Sequence, residues 1–264
     1  PAVRLRNPFS EMAAVLRTNS TPTMLAAIAY NLHRGEPDVK LAEFGRVYSG
    51  GNGRYEEPNV LTLGATGAAR PATLAEPARP LDFFDFKADV EAILARYDLV
   101  NVGFDDRETP PYFVPGRSAR VRAERGLLGY AGEIDPALCE ARKIRQPVFV
   151  AELLIDTIYS AGLRRPQYRE LPRVPSVHRD FSLLVPEGIP FAEIRAAIGP
   201  MEHLASLEPV EVFRGKPAAD GRYSLLLRAV WRRHEPSFSG EEIAAYAEAL
   251  VGALGRKLGV EPRG

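Results

Sequence analysis

The chain has 264 residues, 45% of them apolar, and its 34 basic and 34 acidic side chains cancel to a formal net charge of zero. This composition predicts a packed globular protein, and the balanced charge excludes a polyanion binder that relies on bulk charge alone, so a DNA partner is not expected. Cys139 is the single cysteine, which excludes an intrachain disulfide and favours a reducing, cytoplasmic location, and neither a membrane span nor a basic-then-apolar leader occurs.

The first half of the chain is predicted to mix helices and strands. A helix begins after Ser20 and Thr21, either of which can cap it, and stops at Gly35. The strand-like runs 39–48 and 59–67 flank the glycine cluster GGNG and predict an antiparallel hairpin. The next predicted elements are a loop over 68–81, a helix over 82–97 and strands over 118–124, 126–134 and 148–156. Short turns between successive strands favour a mostly antiparallel sheet.

The second half is predicted to be a separate domain. Residues 160–175 contain three prolines and several arginines with little periodicity, so we place a boundary there, between domains at 1–162 and 168–264. The later elements are strand 180–186, helix 190–198, strands 207–215 and 223–233, helix 240–259 and a short final strand. A capping box of Ser239 and Glu242 starts the last helix, and Gly259 ends it. This βαββαβ order predicts a ferredoxin-like fold within an α+β protein.

The tripeptide His178-Arg179-Asp180 is the one candidate for a catalytic motif. The same letters form the catalytic loop of protein kinases, which also needs an Asn five residues after the Asp, whereas this chain has Val185 there. The four histidines lack paired metal-ligand spacing, and no G-x-S-x-G elbow occurs. We therefore predict no catalytic residue and no metal site, and read the tripeptide as the polar entry to a strand.

The predicted strand 223–233 is more informative about binding. By alternation one face carries Tyr223, Leu225, Leu227, Ala229, Trp231 and Arg233, and the other carries Ser224, Leu226, Arg228, Val230 and Arg232. The second face is typical either of a solvated sheet surface or of a surface that contacts RNA, and both readings stay open. Arg179 and Arg214 fall near strand ends or turns and would extend the basic patch.

Several segments, in order, resemble one known family, the bacterial phenylalanine–tRNA ligase beta subunit in its C-terminal half. They are LRNPFSEMAAVLRTNSTPTML (5–25), NLHRGEPDVKLAEFGRVY (31–48), DFFDFKADVEAIL (82–94), PGRSARV (115–121), LGYAGEIDP (128–136), YRELPRVPSVHRDFSLLVPE (168–187) and VFRGKPAADGRYSLLLRAVWR (212–232). The resemblance implies a class II synthetase-like catalytic-like domain with an antiparallel sheet over 1–162. It further implies a ferredoxin-fold anticodon-binding domain over 168–264.

A class II ligase binds ATP through cationic side chains, and the sequence meets this need only in part. Leu16-Arg17-Thr18 resembles the segment with the first such arginine. Where the second arginine is expected, residues 148–158 supply Glu152 and Asp156 instead, and these anions would repel ATP phosphates. We therefore predict that this chain is not catalytic by itself and that Arg17 is structural or interfacial.

The resemblance also implies partners. They are the catalytic alpha subunit, which this chain would brace, and tRNA(Phe), whose anticodon stem-loop the second domain would contact. ATP and Mg²⁺ are expected in the complete heterotetrameric enzyme, with no cofactor in this chain. The candidate tRNA-binding residues are Arg179, Arg214, Arg228 and Arg232, through phosphate contacts together with stacking on unpaired bases. The alternative is a pure subunit-assembly scaffold without direct RNA contact.

Overall fold

The structure is a computed structural model that describes residues 2–10, 14–51, 53–168, 170–214 and 221–263. The chain divides into two compact units, Pro1–Pro166 (unit 1) and Gln167–Gly264 (unit 2). Each unit has its own buried apolar core. No helix among the described residues is long and apolar enough to cross a membrane.

Unit 1 is built on a six-stranded antiparallel sheet. Its elements are α1 (Thr21–Leu32), β1 (Val39–Arg46), β2 (Ser49–Gly51), β3 (Arg54–Glu56), β4 (Asn59–Thr66), β5 (Ala68–Arg70), β6 (Arg79–Pro80), α2 (Phe83–Leu94), β7 (Gly103–Asp105), β8 (Phe113–Ala123), β9 (Gly126–Ile134), α3 (Pro136–Glu140), β10 (Val148–Leu154) and α4 (Ile155–Tyr159). The strand order is β1-β4-β10-β9-β8-β7, with every neighbouring pair antiparallel. The predicted antiparallel α+β architecture and the β1–β4 hairpin are therefore confirmed.

Two local predictions in unit 1 need correction. Ser20 precedes α1 as expected, but its side chain makes no capping hydrogen bond. The segment 68–81 is not loop throughout, because β5 and β6 at its two ends pair with each other. Backbone pairing of this kind leaves no mark on an Ala- and Pro-rich composition. Asn52, in the middle of the GGNG cluster, lies outside the described residues.

The sheet of unit 1 is packed on both faces. On one face, α2 inserts Phe86, Val90 and Leu94 against the strands, and a reciprocal capping box of Asp82 and Asp85 fixes the start of that helix. On the other face, α1 buries an apolar stripe that includes Met24, Leu25 and Ile28. A sheet buried on both faces fixes the register of its central strands.

Unit 2 has the predicted ferredoxin-like order. Its elements are β11 (Val177–Pro186), α5 (Phe191–Ile198), β12 (Leu204–Phe213), β13 (Arg222–Trp231), α6 (Gly240–Leu258) and β14 (Glu261–Pro262). The sheet order is β12-β13-β11-β14, all antiparallel. The capping box and the left-handed Gly259 at the end of α6 are confirmed. Gly215, the last residue of the predicted strand 207–215, lies outside the described residues.

Both helices of unit 2 contribute to one core, on one face of its sheet. Ile194 of α5 and Leu250 of α6 belong to the same buried cluster as Leu183, Leu225 and Leu227 of the central strands. Side chains alternate along a strand, so the intervening residues of β11 and β13 project from the opposite face. Among the described residues of unit 2 no helix covers that face, which we call the open face.

Candidate nucleic-acid interface

The open face of unit 2 carries its side chains in rows that run across the strands. Residues paired across antiparallel strands project from the same face. One row contains Asp180, Arg228 and Glu208; the next contains Ser182, Leu226 and Glu211; the third contains Leu184, Ser224 and Phe213. An aromatic ring, an aliphatic side chain and several polar groups are thus neighbours on one exposed surface.

A pocket of about 310 Å³ lies on this open face. It is lined by Ser182, Glu211, Phe213, Ser224, Leu226 and Arg263, and we call it the sheet pocket. Phe213 is 44% exposed, so its ring is available to a ligand. The Arg263 backbone amide donates to the Ser182 carbonyl at 2.8 Å, and its guanidinium Nη1 donates to Ser224 Oγ at 3.2 Å. These two bonds hold the arginine at the edge of the pocket.

The sheet pocket combines the groups that recognise an unpaired base. The Phe213 ring and the Leu226 side chain form an apolar surface on which a base can stack. The Glu211 carboxylate accepts hydrogen bonds from amino and imino groups of a base edge, and the serine hydroxyls both donate and accept. The pocket thus offers both an apolar surface and hydrogen-bonding groups to a ligand.

Of the four predicted tRNA-binding arginines, Arg228 lies on the open face, in the row next to the sheet pocket. Its Nε and Nη2 donate to the two Asp180 carboxylate oxygens, each at 2.7 Å. Its side chain is 42% exposed and does not enter the core of unit 2. Arg228 therefore meets the geometric requirement for a surface contact, although its charge is already paired.

The other three predicted arginines occupy different surroundings. Arg179 of β11 lies opposite the buried Ala229 of β13, so its side chain projects from the helix-covered face. It is nevertheless exposed. Arg214, just after β12, is ion-paired with Glu187 and lies over the Tyr223 ring. Arg232 is exposed just after β13. The structure thus does not bring the four arginines together as one patch, and their RNA contacts stay predictions.

The tripeptide His178-Arg179-Asp180 lies inside β11. Asp180 accepts the bidentate hydrogen bond of Arg228, and this guanidinium lowers the pKa of the carboxyl below its ordinary value. A carboxylate stabilised in its charged form is a poor general base near neutral pH. This surrounding agrees with the reading of the tripeptide as the polar start of a strand.

In unit 1, Arg17 is held entirely by its own chain. Its Nη1 donates to Glu43 at 2.6 Å and to Thr23 Oγ1 at 3.2 Å, and its Nε donates to the Arg46 carbonyl at 2.7 Å. The guanidinium lies directly over Gly45, where a Cβ would come within 2.1 Å of Nη2. These contacts are structural.

Glu152 occupies the position on β10 where the family resemblance implies a second arginine. Its carboxylate accepts the Ser20 backbone N–H at 2.5 Å and so holds the residue that precedes α1. Burial raises the pKa of Glu152, and burial followed by the Glu152 charge raises the pKa of Tyr112 to about 12. A triphosphate would meet anionic side chains and an arginine already paired, so these residues do not fit ATP.

We expect Glu152→Gln to raise the free energy of unfolding of unit 1 by about 1 kcal/mol near neutral pH, because burying a charged carboxylate is costly. The amide oxygen still accepts the Ser20 N–H. Burial raises the pKa of Glu152 in the folded state. Below the pKa of the unfolded state the neutral carboxyl does not lower the free energy of unfolding, and this free energy falls as pH rises through the folded-state pKa. Denaturant unfolding across pH should therefore show a gain that vanishes in acid.

The matched control is Glu140→Gln, which changes an exposed residue of α3 in the same way. The free energy of unfolding of this variant should change with pH in the same way as that of the unchanged chain. A Glu152→Gln variant that is less stable at neutral pH, or equally stabilised at every pH, would contradict the burial argument.

The fold is that of an α+β protein with a ferredoxin-like second unit. Residues 172–263 match the model of the ferredoxin-fold anticodon binding domain. Residues 1–155 match the model of the phenylalanyl tRNA synthetase beta chain CLM domain. The chain belongs to the phenylalanyl-tRNA synthetase beta chain family. The resemblance inferred from the sequence is therefore confirmed.

Individual relatives agree with this assignment. The chain is 31% identical to the phenylalanine–tRNA ligase beta subunit of Geobacter sulfurreducens, over 99% of this chain and 33% of that protein. It is 32% identical to the beta subunit of Symbiobacterium thermophilum, over 98% and 29% respectively, and 28% identical to that of Thermotoga maritima, over 99% and 33%. The chain thus spans about a third of the length of these curated relatives.

Proposed function

We propose that unit 2 binds the anticodon stem-loop of tRNA(Phe) through the sheet pocket. The observation that carries the proposal is the pocket itself, in which Phe213 and Leu226 offer a stacking surface beside the Glu211 carboxylate. Proteins read single-stranded RNA loops by stacking on splayed bases and by hydrogen bonds to their edges. The chain has no net charge, so base contacts rather than bulk attraction to phosphates provide the selectivity.

We also propose that unit 1 braces the catalytic alpha subunit of a cytoplasmic phenylalanine–tRNA ligase, in which ATP and Mg²⁺ act on the alpha subunit. Arg17, Glu43 and Glu152 already form hydrogen bonds within the chain, and this favours a structural rather than a catalytic role for unit 1. A second pocket, of about 480 Å³, exposes the aromatic rings of Phe44 and Tyr159. Exposed aromatic residues are enriched at protein interfaces, so we assign this pocket to the subunit contact.

The proposed RNA contact predicts that Phe213→Ala weakens binding of tRNA(Phe) about 10-fold or more, since stacking of one base on an aromatic ring contributes roughly 1–3 kcal/mol. Fluorescence anisotropy of labelled tRNA(Phe), titrated with the whole chain at several salt concentrations, measures the effect. The matched control is Phe84→Ala, which removes an exposed ring, 75% exposed against 44% for Phe213, from α2 of unit 1 and should leave the affinity unchanged.

The same titration tests the competing function, a subunit-assembly scaffold. The ion pairs of Arg228 with Asp180 and of Arg214 with Glu187 favour that reading, because they neutralise two of the four candidate arginines. A chain that binds the alpha subunit but shows no salt-dependent affinity for tRNA(Phe) is a scaffold only. Equal affinities of the Phe213→Ala variant and the unchanged chain would exclude the sheet pocket as the RNA site.

A further inference from the structure

The row beside the sheet pocket contains two carboxylates and one guanidinium. Arg228, in the centre, is bonded to Asp180 on β11 through both Nε and Nη2. Glu208 on β12 lies opposite Arg228 on its other side. The Glu208 carboxylate accepts a hydrogen bond from Ser206 Oγ. The row thus carries one positive and two negative charges.

This arrangement determines what an RNA phosphate meets when it approaches the open face. The Asp180 carboxylate occupies the Nε–Nη2 edge of the Arg228 guanidinium, one of the two edges at which a phosphate can bind with two hydrogen bonds. A phosphate that takes this edge must displace Asp180, and one that approaches the Nη1 end still lies near the Asp180 carboxylate as a like charge. Because Asp180 and Arg228 are both about 40% exposed, the exchange needs no change in the core.

We propose that Asp180 sets the sequence-independent part of the RNA affinity of unit 2 by competing with phosphate for the Arg228 guanidinium. This inference rests on the proposed RNA-binding function and adds a residue that opposes binding. Every RNA presents phosphates, so the competition lowers the affinity for all RNA by the same factor. Discrimination between RNAs is left to the sheet pocket one row away, because its contacts depend on the base.

The test is to replace Asp180 and to measure RNA affinity of the whole chain over a salt series, with tRNA(Phe) and with a 20-nucleotide oligo(U) as probes. We expect Asp180→Asn to tighten binding of both probes about three- to tenfold at 0.1 M salt and to steepen the slope of log affinity against log salt by about 0.7, as one additional phosphate contact to single-stranded RNA requires. In an Arg228→Gln background the same replacement should keep only the small effect of removing one negative charge.

Two controls separate release of the guanidinium from a change in local charge. Glu208→Gln removes one negative charge from the same row without breaking a hydrogen bond to Arg228, so its effect should be clearly smaller. Glu248→Gln removes an exposed negative charge from α6 and should have no effect. Circular dichroism of each variant checks that the fold is kept.

The role of Asp180 and the RNA-binding function of unit 2 can fail independently of each other. Unchanged affinity in Asp180→Asn, an equal gain in Glu208→Gln, or an equally large gain from Asp180→Asn in the Arg228→Gln background would overturn the role of Asp180. If Phe213→Ala weakens tRNA binding while Asp180→Asn has no effect, only this inference fails. If the unchanged chain and Asp180→Asn both bind neither probe, the RNA-binding function fails with it.

Discussion

Trp231→Ala is expected to lower the free energy of unfolding of unit 2 by about 3–5 kcal/mol, the cost of deleting a large aromatic side chain from a packed core. Trp231 ends β13 and is fully buried. Its ring stacks on Tyr246 of α6, with centroids 6.2 Å apart and planes at 12°, and meets Phe181 of β11 edge to face at 6.4 Å. The substitution therefore removes contacts that join a helix to two strands.

The effect should be confined to unit 2, because Trp231 belongs to the core of that unit. Hydrogen exchange is the suitable measurement: amides of β11 and β13 should exchange much faster in the variant, and the exchange rates of β10 amides should not change.

Trp231→Phe is the matched control. The indole Nε1 is buried without a hydrogen-bond partner in the described part of the chain, so phenylalanine loses packing but no hydrogen bond and should cost less than half as much. Faster exchange in both units would contradict separate cores.

Local patterns in the sequence predicted most of unit 2. The capping box at Ser239 and Glu242 and the left-handed Gly259 define α6, because both signals depend on backbone groups within a few residues. Alternation along strand 223–233 correctly placed Tyr223 and Trp231 on one face, and the structure shows both of them buried. These features are local and need no knowledge of strand pairing.

Features that depend on register could not be predicted. The sequence placed Arg228 on a polar face, but only the pairing of β11 with β13 puts Asp180 opposite it. Phe213 and Glu211 were missed because β12 has register shifts after Leu204 and after Pro209, which break strict alternation. Arg263 follows a two-residue strand that is too short to carry a periodic signal.

Unit 1 shows the same limit in its helix α1. Ser20 has the side chain and the position of an N-cap, yet its amide donates to Glu152, a residue 132 positions away. Arg17 is likewise held by Glu43, on a strand beyond the helix. Long-range partners of this kind leave no local signal, so the sequence located the helix and its N-cap residue Ser20 but not the bonds that Ser20 and Arg17 make.

Gly129→Ala is expected to destabilise unit 1 by about 3 kcal/mol or more, through a collision with a backbone that cannot give way. Gly129 of β9 faces Leu153 of β10 at φ +146°, and an added Cβ would lie 2.1 Å from the Glu152 carbonyl oxygen and 2.9 Å from the Leu153 Cα. Since β9 and β10 are central strands packed on both faces, neither can move away without disturbing the core. Denaturant unfolding, or hydrogen exchange of β10 amides, measures the loss.

Gly126→Ala separates this collision from backbone strain. Gly126 also has a positive φ, +122°, but nothing lies within 4 Å of its added Cβ, so strain alone should cost about 1–2 kcal/mol. Gly103→Ala, with neither strain nor a neighbour, should be nearly neutral. If Gly129→Ala lowers the free energy of unfolding no more than Gly126→Ala does, the β9–β10 pair can separate locally.

Glu152 on β10 holds the start of α1 through the Ser20 amide. Gly129→Ala should therefore also loosen α1, and faster hydrogen exchange of the α1 amides would reveal this.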